Sequence, residues 1–316
     1  AITLAENGSL DNTGKVESTK TISVAGGTFS NIGEAVLNGL TVTAGQVVNA
    51  VTGIFKDSGT TTINMASADD VAVKNEAVLE LTNLTLLKGV IEGGTVGTTE
   101  ATVASVAADG SIDADTGNFK ELANAGKLEF ADLTVAEKLT NTGSITTDKS
   151  VSAGSIENSS AISAGTTVNA DSINNTGTIT AGTGLASQSV SNTGSIQTAE
   201  LKVTTGLTNS GSVTSTGKAE ITALDNQTGG VLTLAEALVN GGTNAGELTA
   251  SGLLTLNDVF SNTGTLTADA DLVIAGNADN RGTLKAENGK TTITGTLSNS
   301  NALTLADADL SGTFTN

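Results

Sequence analysis

The amino-acid sequence predicts an all-β chain: a right-handed parallel β-helix (β-solenoid) with coils of about 16–20 residues and three short strands per coil. Three observations predict it: a repeated seven-residue phrase, a spacing of 17 to 19 residues between most of its copies, and the absence of proline from 316 residues. Repeats of paired helices need more than about 30 residues, so this period indicates short strands joined by tight turns. We expect one solenoid domain over 1–316, with longer and less regular coils over 53–94.

The repeated phrase consists of an apolar residue, any residue, Asn, a small residue, Gly, any residue and a second apolar residue. Its asparagine recurs in steps of 17 from Asn124 to Asn226 and in steps of 18 from there to Asn280. Near the N-terminus the phrase survives at Asn12 and Asn31, and Asp109 begins a degenerate copy. Clear copies of the complete phrase occupy 139–145, 173–179, 190–196 and 260–266.

Stacked coils bring equivalent residues into columns about 4.8 Å apart, and strand alternation turns every second residue inward. The residue after the turn predicts a first aliphatic column of Ile145, Ile162, Ile179, Ile196, Val213, Leu232, Leu248, Leu266, Leu284 and Leu303. The residue two places before Asn predicts a second column of Leu122, Leu139, Ile156, Ile173, Val190, Leu207 and Leu224. A third predicted column contains Val151, Val168, Leu185, Val203 and Ile221. Because nearly every strand is then paired on both sides, proline would remove a ladder hydrogen bond almost anywhere.

Asn and Gly of the phrase fall between two columns, at a corner of the coil. Glycine adopts a positive φ without steric cost, and asparagine bonds to the local backbone of a turn. Repeated in every coil, the side-chain amides are expected to form a hydrogen-bonded ladder along the axis, as in stacked cross-β arrays. The predicted ladder residues are Asn124, Asn141, Asn158, Asn175, Asn192, Asn209, Asn244, Asn262, Asn280 and Asn299.

The composition excludes several classes of site. The chain has no His, Cys, Trp or Tyr and a formal charge of −19. Without His and Cys there is no zinc, haem or iron–sulfur site of the usual kind, so we expect no cofactor, no metal and no catalytic residue. An acidic chain is also a poor partner for nucleic acid. No apolar run is long enough to span a bilayer, so we expect no membrane insertion.

Three other functions compete with a structural role. The acidic pairs Asp69 with Asp70, Asp269 with Asp271, and Asp307 with Asp309 offer oxygen ligands for Ca²⁺, but we interpret them as solvated charge. Paired carboxylates on such a scaffold can cleave polysaccharide, yet the single Arg and the lack of aromatic platforms disfavour this reading. Outward Thr-x-Thr pairs suggest ice binding, but they are interrupted in many coils and are typical of exposed strands. We therefore expect no enzyme.

The two ends of the sequence suggest how copies associate. The first residues, Ala1, Ile2 and Leu4, resemble the segment that follows Asn299, and the last, Phe314 and Asn316, stop within the repeated phrase. An open coil presents unpaired backbone groups to any further strand. We expect a head-to-tail homopolymer whose interface contains these five end residues. A segment excised from a longer solenoid is the alternative.

The Asn-Thr-Gly turns and aliphatic columns resemble the β-helical repeats of filamentous-haemagglutinin-like adhesins and autotransporter passengers, which are exported bacterial surface proteins. The likeness covers the chain from about residue 101 onward, with echoes over 1–53. The resemblance implies a structural or adhesive role outside the cell or at the bacterial cell surface, with host or cell-surface glycans as further partners. We expect a subunit of a fibre or surface layer held by axial strand pairing, or else the stalk of a large adhesin.

Overall fold

The computed structural model describes residues 1–316, and the chain is all-β without helices. Parallel stacked coils form a β-solenoid of about 17 turns, which confirms the predicted fold class. The chain divides into two compact units, Ala1–Ala164 and Gly165–Asn316. In neither unit does a helix form that has the length and apolarity needed to cross a bilayer.

The strands of the first unit are numbered β1 to β15 in chain order. Seven of them have eight or more residues and are longer than one side of a coil, because backbone pairing continues around the corners, with a bulge where the register shifts. Their bounds are Ile2–Leu4, Ser9–Asn12, Lys15–Glu17, Ile22–Asn31, Glu34–Leu37, Leu40–Asn49, Ile54–Asn64, Val71–Asn75, Val78–Glu92, Thr95–Val96, Val103–Asn124, Lys127–Asn141, Ser144–Thr147, Val151–Asn158 and Ala161–Ala164.

The strands of the second unit are β16 to β32, and they too pair in parallel with the coil before and the coil after. Their bounds are Thr167–Asn175, Thr178–Asn192, Ser195–Asn209, Ser212–Ile221, Leu224–Asn226, Val231–Val239, Gly242–Asn244, Glu247–Ala250, Leu254–Leu256, Phe260–Asn262, Thr265–Ala268, Leu272–Ile274, Asn277–Asn280, Thr283–Ile293, Thr296–Asn299, Ala302–Leu310 and Thr313–Thr315.

The first two predicted columns are present in the core. Ile145 pairs with Ile162 in the first unit, and Ile179 pairs with Ile196 in the second. Leu232 is the partner of Val213, as expected for a coil with a small insertion. These side chains are at most 1% exposed. Burying an aliphatic side chain contributes about 1.5–3 kcal/mol, so the columns supply the main apolar stabilisation of each coil.

The third predicted column is wrong at one step, from Leu185 to Val203. Its steps from Val168 to Leu185 and from Val203 to Ile221 are confirmed. Leu185 pairs with Leu201, while Val203 pairs with Ser187 on one side and Ile221 on the other. Leu201 and Val203 both point inward, because side chains two residues apart lie on the same face of a strand. Sequence spacing alone does not show which of two such inward residues stacks on Leu185. A register shift shortens this coil, so Leu185 pairs with a residue two positions earlier than expected.

Glycine closes the corners because consecutive coils approach each other there through their backbones. A Cβ built on Gly264 would lie 2.1 Å from the carbonyl oxygen of Gly246, and one on Gly282 would lie 2.1 Å from that of Gly264. Neither has a positive φ, so close approach rather than left-handed geometry explains these glycines. The Asn-x-Gly turn is therefore a packing requirement of the stack.

Candidate functional site: the asparagine ladders

The asparagines of the second unit form a continuous ladder of side-chain amides. Each Nδ2 donates to the Oδ1 of the next asparagine along the chain, at 2.7–2.9 Å for the seven links from Asn175 to Asn299. The side chains are 0–6% exposed. Asn226 belongs to this series, and Asn299 donates in turn to Asn316. The predicted asparagine ladder is therefore present.

Each ladder amide also holds the turn in which it sits. The Nδ2 of Asn192 donates to the carbonyl oxygens of Gly194, at 3.2 Å within its own turn, and Ser212, at 3.1 Å in the next coil. The Oδ1 of Asn192 accepts from Asn175 at 2.8 Å. A buried amide without partners would cost about 1–3 kcal/mol. Here the amide is paired on both sides, so it fixes the axial register of the coils.

The first unit contains two separate ladders. One joins Asn12, Asn31, Asn49 and Asn75 at 2.7–2.9 Å. It ends because Asn75 donates only to backbone carbonyls, including Gly93 and Thr95. The other begins at Asn124 and continues through Asn141 to Asn158 at 2.8 Å. The predicted ladder residues include those of the second ladder and none of the first, so the four asparagines of the first are additional ladder residues.

The two ladders lie at different corners of the coil. One continuous column contains Val73, Ile91, Ile112 and Leu128. Val73 comes two residues before Asn75, whereas Leu128 comes four residues after Asn124. The same column thus precedes the ladder in the early coils and follows it in the later ones. Between Asn75 and Asn124 the turns carry other residues, such as Gly93 and the degenerate copy at Asp109.

Asp57 makes a second buried polar site, which the sequence did not signal. Its side chain is 2% exposed. Its Oδ1 accepts from the backbone N–H of Gly39 at 2.6 Å and of Gly59 at 2.9 Å, and its Oδ2 accepts from the Thr61 hydroxyl at 2.6 Å. Hydrogen bonds to a charged group contribute about 1.5–3 kcal/mol each. Like a ladder amide, the carboxylate therefore links two consecutive coils by buried hydrogen bonds.

An acidic cleft of about 550 Å³ opens beside the coils where the first ladder stops. Lys127 stands next to it and binds Glu129 at 2.9 Å. The hydrogen bond from Lys127 to Glu129, together with the charges of Glu129 and Asp113, raises the pKa of the Lys127 ammonium. Phe130 contributes an apolar wall, and the cleft's carboxylates come from Glu92, Asp113, Asp115, Glu129 and Asp148.

The acidic pairs named from the sequence take part in local backbone and ion-pair contacts. Asp70 accepts from the backbone N–H of Ser67 at 2.9 Å. Asp271 accepts from the backbone N–H of Lys290 at 2.9 Å, and Asp309 forms an ion pair with the same lysine. Nowhere in 1–316 do three or more carboxylates converge as ligands of a metal ion would.

The five predicted interface residues lie in the first and last coils. Ile2 and Leu4 belong to β1, which pairs with β4 in the next coil. Phe314 belongs to β32, which pairs with β30, and Asn316 accepts from Asn299. Ile2 is 38% exposed and Phe314 is 39% exposed.

No known protein family matches the chain, and no match was found among the curated proteins or the solved structures. Its likeness to adhesins and autotransporter passengers therefore rests on the repeated phrase alone.

Proposed function

We propose that the chain is a structural protein of the bacterial cell exterior, a stiff β-solenoid whose coils associate end to end in a fibre or surface layer. The observation that carries the proposal is the polarity of the stack. The ladder amides donate toward the following coil, and the strands within each unit pair in parallel. A polar stack adds a further copy head to tail, which is the heterologous contact that produces fibres.

In the proposed contact, the strand Thr313–Thr315 of one copy pairs with the strand Ile2–Leu4 of the next. Ala1 and Asn316 flank these strands, so all five predicted end residues fall within the contact. The half-exposed side chains of Ile2 and Phe314 become buried, and the backbone groups at the two coil ends become paired. The mechanical role follows from continuous backbone pairing, which leaves few unpaired groups along the axis.

Electron microscopy of the purified chain over a range of concentrations tests this proposal. We expect rods joined end to end, and Phe314→Lys should shorten them by placing a charge in the contact. Val259→Lys is the matched control, because Val259 is 62% exposed in an internal coil and should leave association unchanged. Separate single particles at every concentration would overturn the fibre.

The second candidate is the stalk of a large adhesin, in which the same axial pairing continues within one polypeptide. The repeated phrase favours it through its likeness to adhesin repeats. The mass of the native polypeptide separates the two candidates. A mass near 31.1 kDa supports the subunit, and a much larger polypeptide that contains this segment supports the stalk.

A further inference from the structure

Four asparagines of the chain are followed directly by glycine: Asn7, Asn38, Asn240 and Asn288. In such a pair the backbone nitrogen of the glycine can attack the side-chain carbonyl carbon of the asparagine, because glycine has no Cβ to hinder the approach. None of the ladder asparagines is followed by glycine, since the phrase places glycine two residues later. The chain thus has two chemical classes of asparagine.

We propose that Asn288 is a site of spontaneous deamidation. The nitrogen of Gly289 loses its proton and forms a bond to Cγ of Asn288, the Cγ–Nδ2 bond breaks, and Nδ2 takes up one proton and leaves as ammonia. The resulting succinimide then reacts with one solvent water, which opens the ring to an aspartate or isoaspartate. One amide is exchanged for one carboxylate, with water consumed and ammonia released, and no oxidant or reductant takes part.

The structure leaves Asn288 free to react. Its side chain is exposed and makes no hydrogen bond in the structure. Glu287, Asn288 and Gly289 lie outside every pairing register of β29, because the register shifts between Ala286 and Lys290. A Cβ on Gly289 would lie 2.2 Å from the carbonyl carbon of Ala270. Packing therefore demands the glycine that also makes Asn288 reactive.

The other three pairs are restrained. The N–H of Gly39 donates to the buried carboxylate of Asp57 at 2.6 Å, so the nitrogen beside Asn38 is held away from its side chain. The N–H of Gly8, beside Asn7, donates to Ala5 at 2.9 Å. Asn240 is half-buried and accepts from Asn257 at 3.2 Å.

The ladder asparagines are restrained twice. In most coils the nitrogen that follows the ladder asparagine donates to the coil before, as Thr193 does to Asn175 and Ser210 does to Asn192, both at 2.9 Å. Their amides are buried and fixed by the ladder itself. Deamidation at Asn288 therefore adds a negative charge at the surface while the ladders stay intact.

Peptide mapping by mass spectrometry tests the proposal on the full chain, incubated at neutral pH in water enriched in heavy oxygen. The isotope marks conversions that occur during the incubation. We expect Asn288 to deamidate at least about tenfold faster than Asn38 or any ladder asparagine, a factor that corresponds to about 1.4 kcal/mol of barrier. Asn288→Gln should remove this fast product. An Asn288 that stays an amide, or a ladder asparagine that converts at the same rate, would overturn the proposal.

Two further arms test the cause of the protection. Asp57→Ala should accelerate deamidation at Asn38, because it removes the acceptor of the Gly39 N–H. Asp57→Asn keeps an acceptor for this N–H and should leave the rate at Asn38 unchanged. In urea, where the fold is lost, the rate at Asn38 should rise to that of Asn288, and the rate at Asn288 should change little. This comparison holds even where Asp57→Ala disturbs its coil. A large rise at Asn288 on unfolding would contradict the claim that the native fold leaves it open.

Discussion

Removing one ladder asparagine tests how the amides stabilise the stack. Asn192→Ala deletes the donor to the Oδ1 of Asn209 and the acceptor of the Asn175 amide. The Asn175 amide keeps the carbonyls of Gly177 and Ser195 at 3.1 and 3.0 Å, but the Oδ1 of Asn209 loses its ladder partner. An unsatisfied buried acceptor costs about 1–3 kcal/mol and each lost hydrogen bond about 1 kcal/mol. We therefore expect a loss of about 2–4 kcal/mol.

Double-mutant cycles provide the assay, with the free energy of unfolding measured in urea and local opening measured by native-state hydrogen exchange. Asn209→Ala added to Asn192→Ala removes the acceptor that the first change left unpaired. The pair should thus cost less than the sum of the single variants by about 0.5–3 kcal/mol. Asn192→Ala with Asn262→Ala is the control, because distant sites add within about 0.5 kcal/mol. Equal additivity in both cycles would refute a coupled ladder.

Three other substitutions probe single contacts. The hydroxyl of Thr291 is buried without a partner, so Thr291→Val should raise the free energy of unfolding by about 1 kcal/mol, measured in urea. Gly264→Ala should lower thermal stability because its Cβ would lie 2.1 Å from a carbonyl oxygen, whereas Gly206→Ala, with its nearest atom at 3.8 Å, should change little. The pKa of the Asp132 carboxyl is lowered chiefly by the hydrogen bond that it accepts from the Ser150 hydroxyl. Ser150→Ala should therefore destabilise the fold at neutral pH.

The sign of the pH effect follows from proton linkage. A carboxyl whose pKa is depressed in the folded state adds stability above its unfolded value, and this stability is lost as the pH falls through the folded pKa. The loss in free energy of unfolding caused by Ser150→Ala should thus begin to shrink as the pH falls below 3.8, the ordinary pKa of Asp. A loss in free energy of unfolding that stays constant down to strong acid would contradict this linkage.

The other two substitutions have their own contradicting outcomes. A Thr291→Val variant that is less stable than the unchanged chain would contradict the argument from the unpaired hydroxyl. A Gly264→Ala variant as stable as Gly206→Ala would contradict the argument from close backbone packing.

The period, two of the three aliphatic columns and the later ladder could be predicted because each coil repeats the same phrase. The early ladder was missed because it sits at another corner. The spacing of 49 residues from Asn75 to Asn124 is not a multiple of the 17 to 19 residues that separate most copies of the phrase, and this mismatch is a signal in the sequence. The pairing of Leu185 with Leu201 required knowledge of a bulge, which shifts register without changing which residues point inward.

The site at Asp57 could not be predicted, because it depends on contacts between coils whose sequences share no repeated motif. Gly39 lies 18 residues before Asp57, and nothing in either segment resembles the phrase. The acidic cleft has the same origin: Asp113 pairs with Glu92 on one side and Glu129 on the other. Such groupings follow from register, and register is known only when the length of every coil is known.

Engineered disulfides test most directly that equivalent residues stack in parallel register. The chain has no native cysteine, and Thr233, Thr249 and Thr267 are consecutive outward partners. Cysteines at Thr233 and Thr249 should have Cα atoms about 4.8 Å apart, within the range that a disulfide spans. Cysteines at Thr233 and Thr267 should be about twice as far apart and remain reduced. Bridging of the second pair, or failure of the first, would contradict the account.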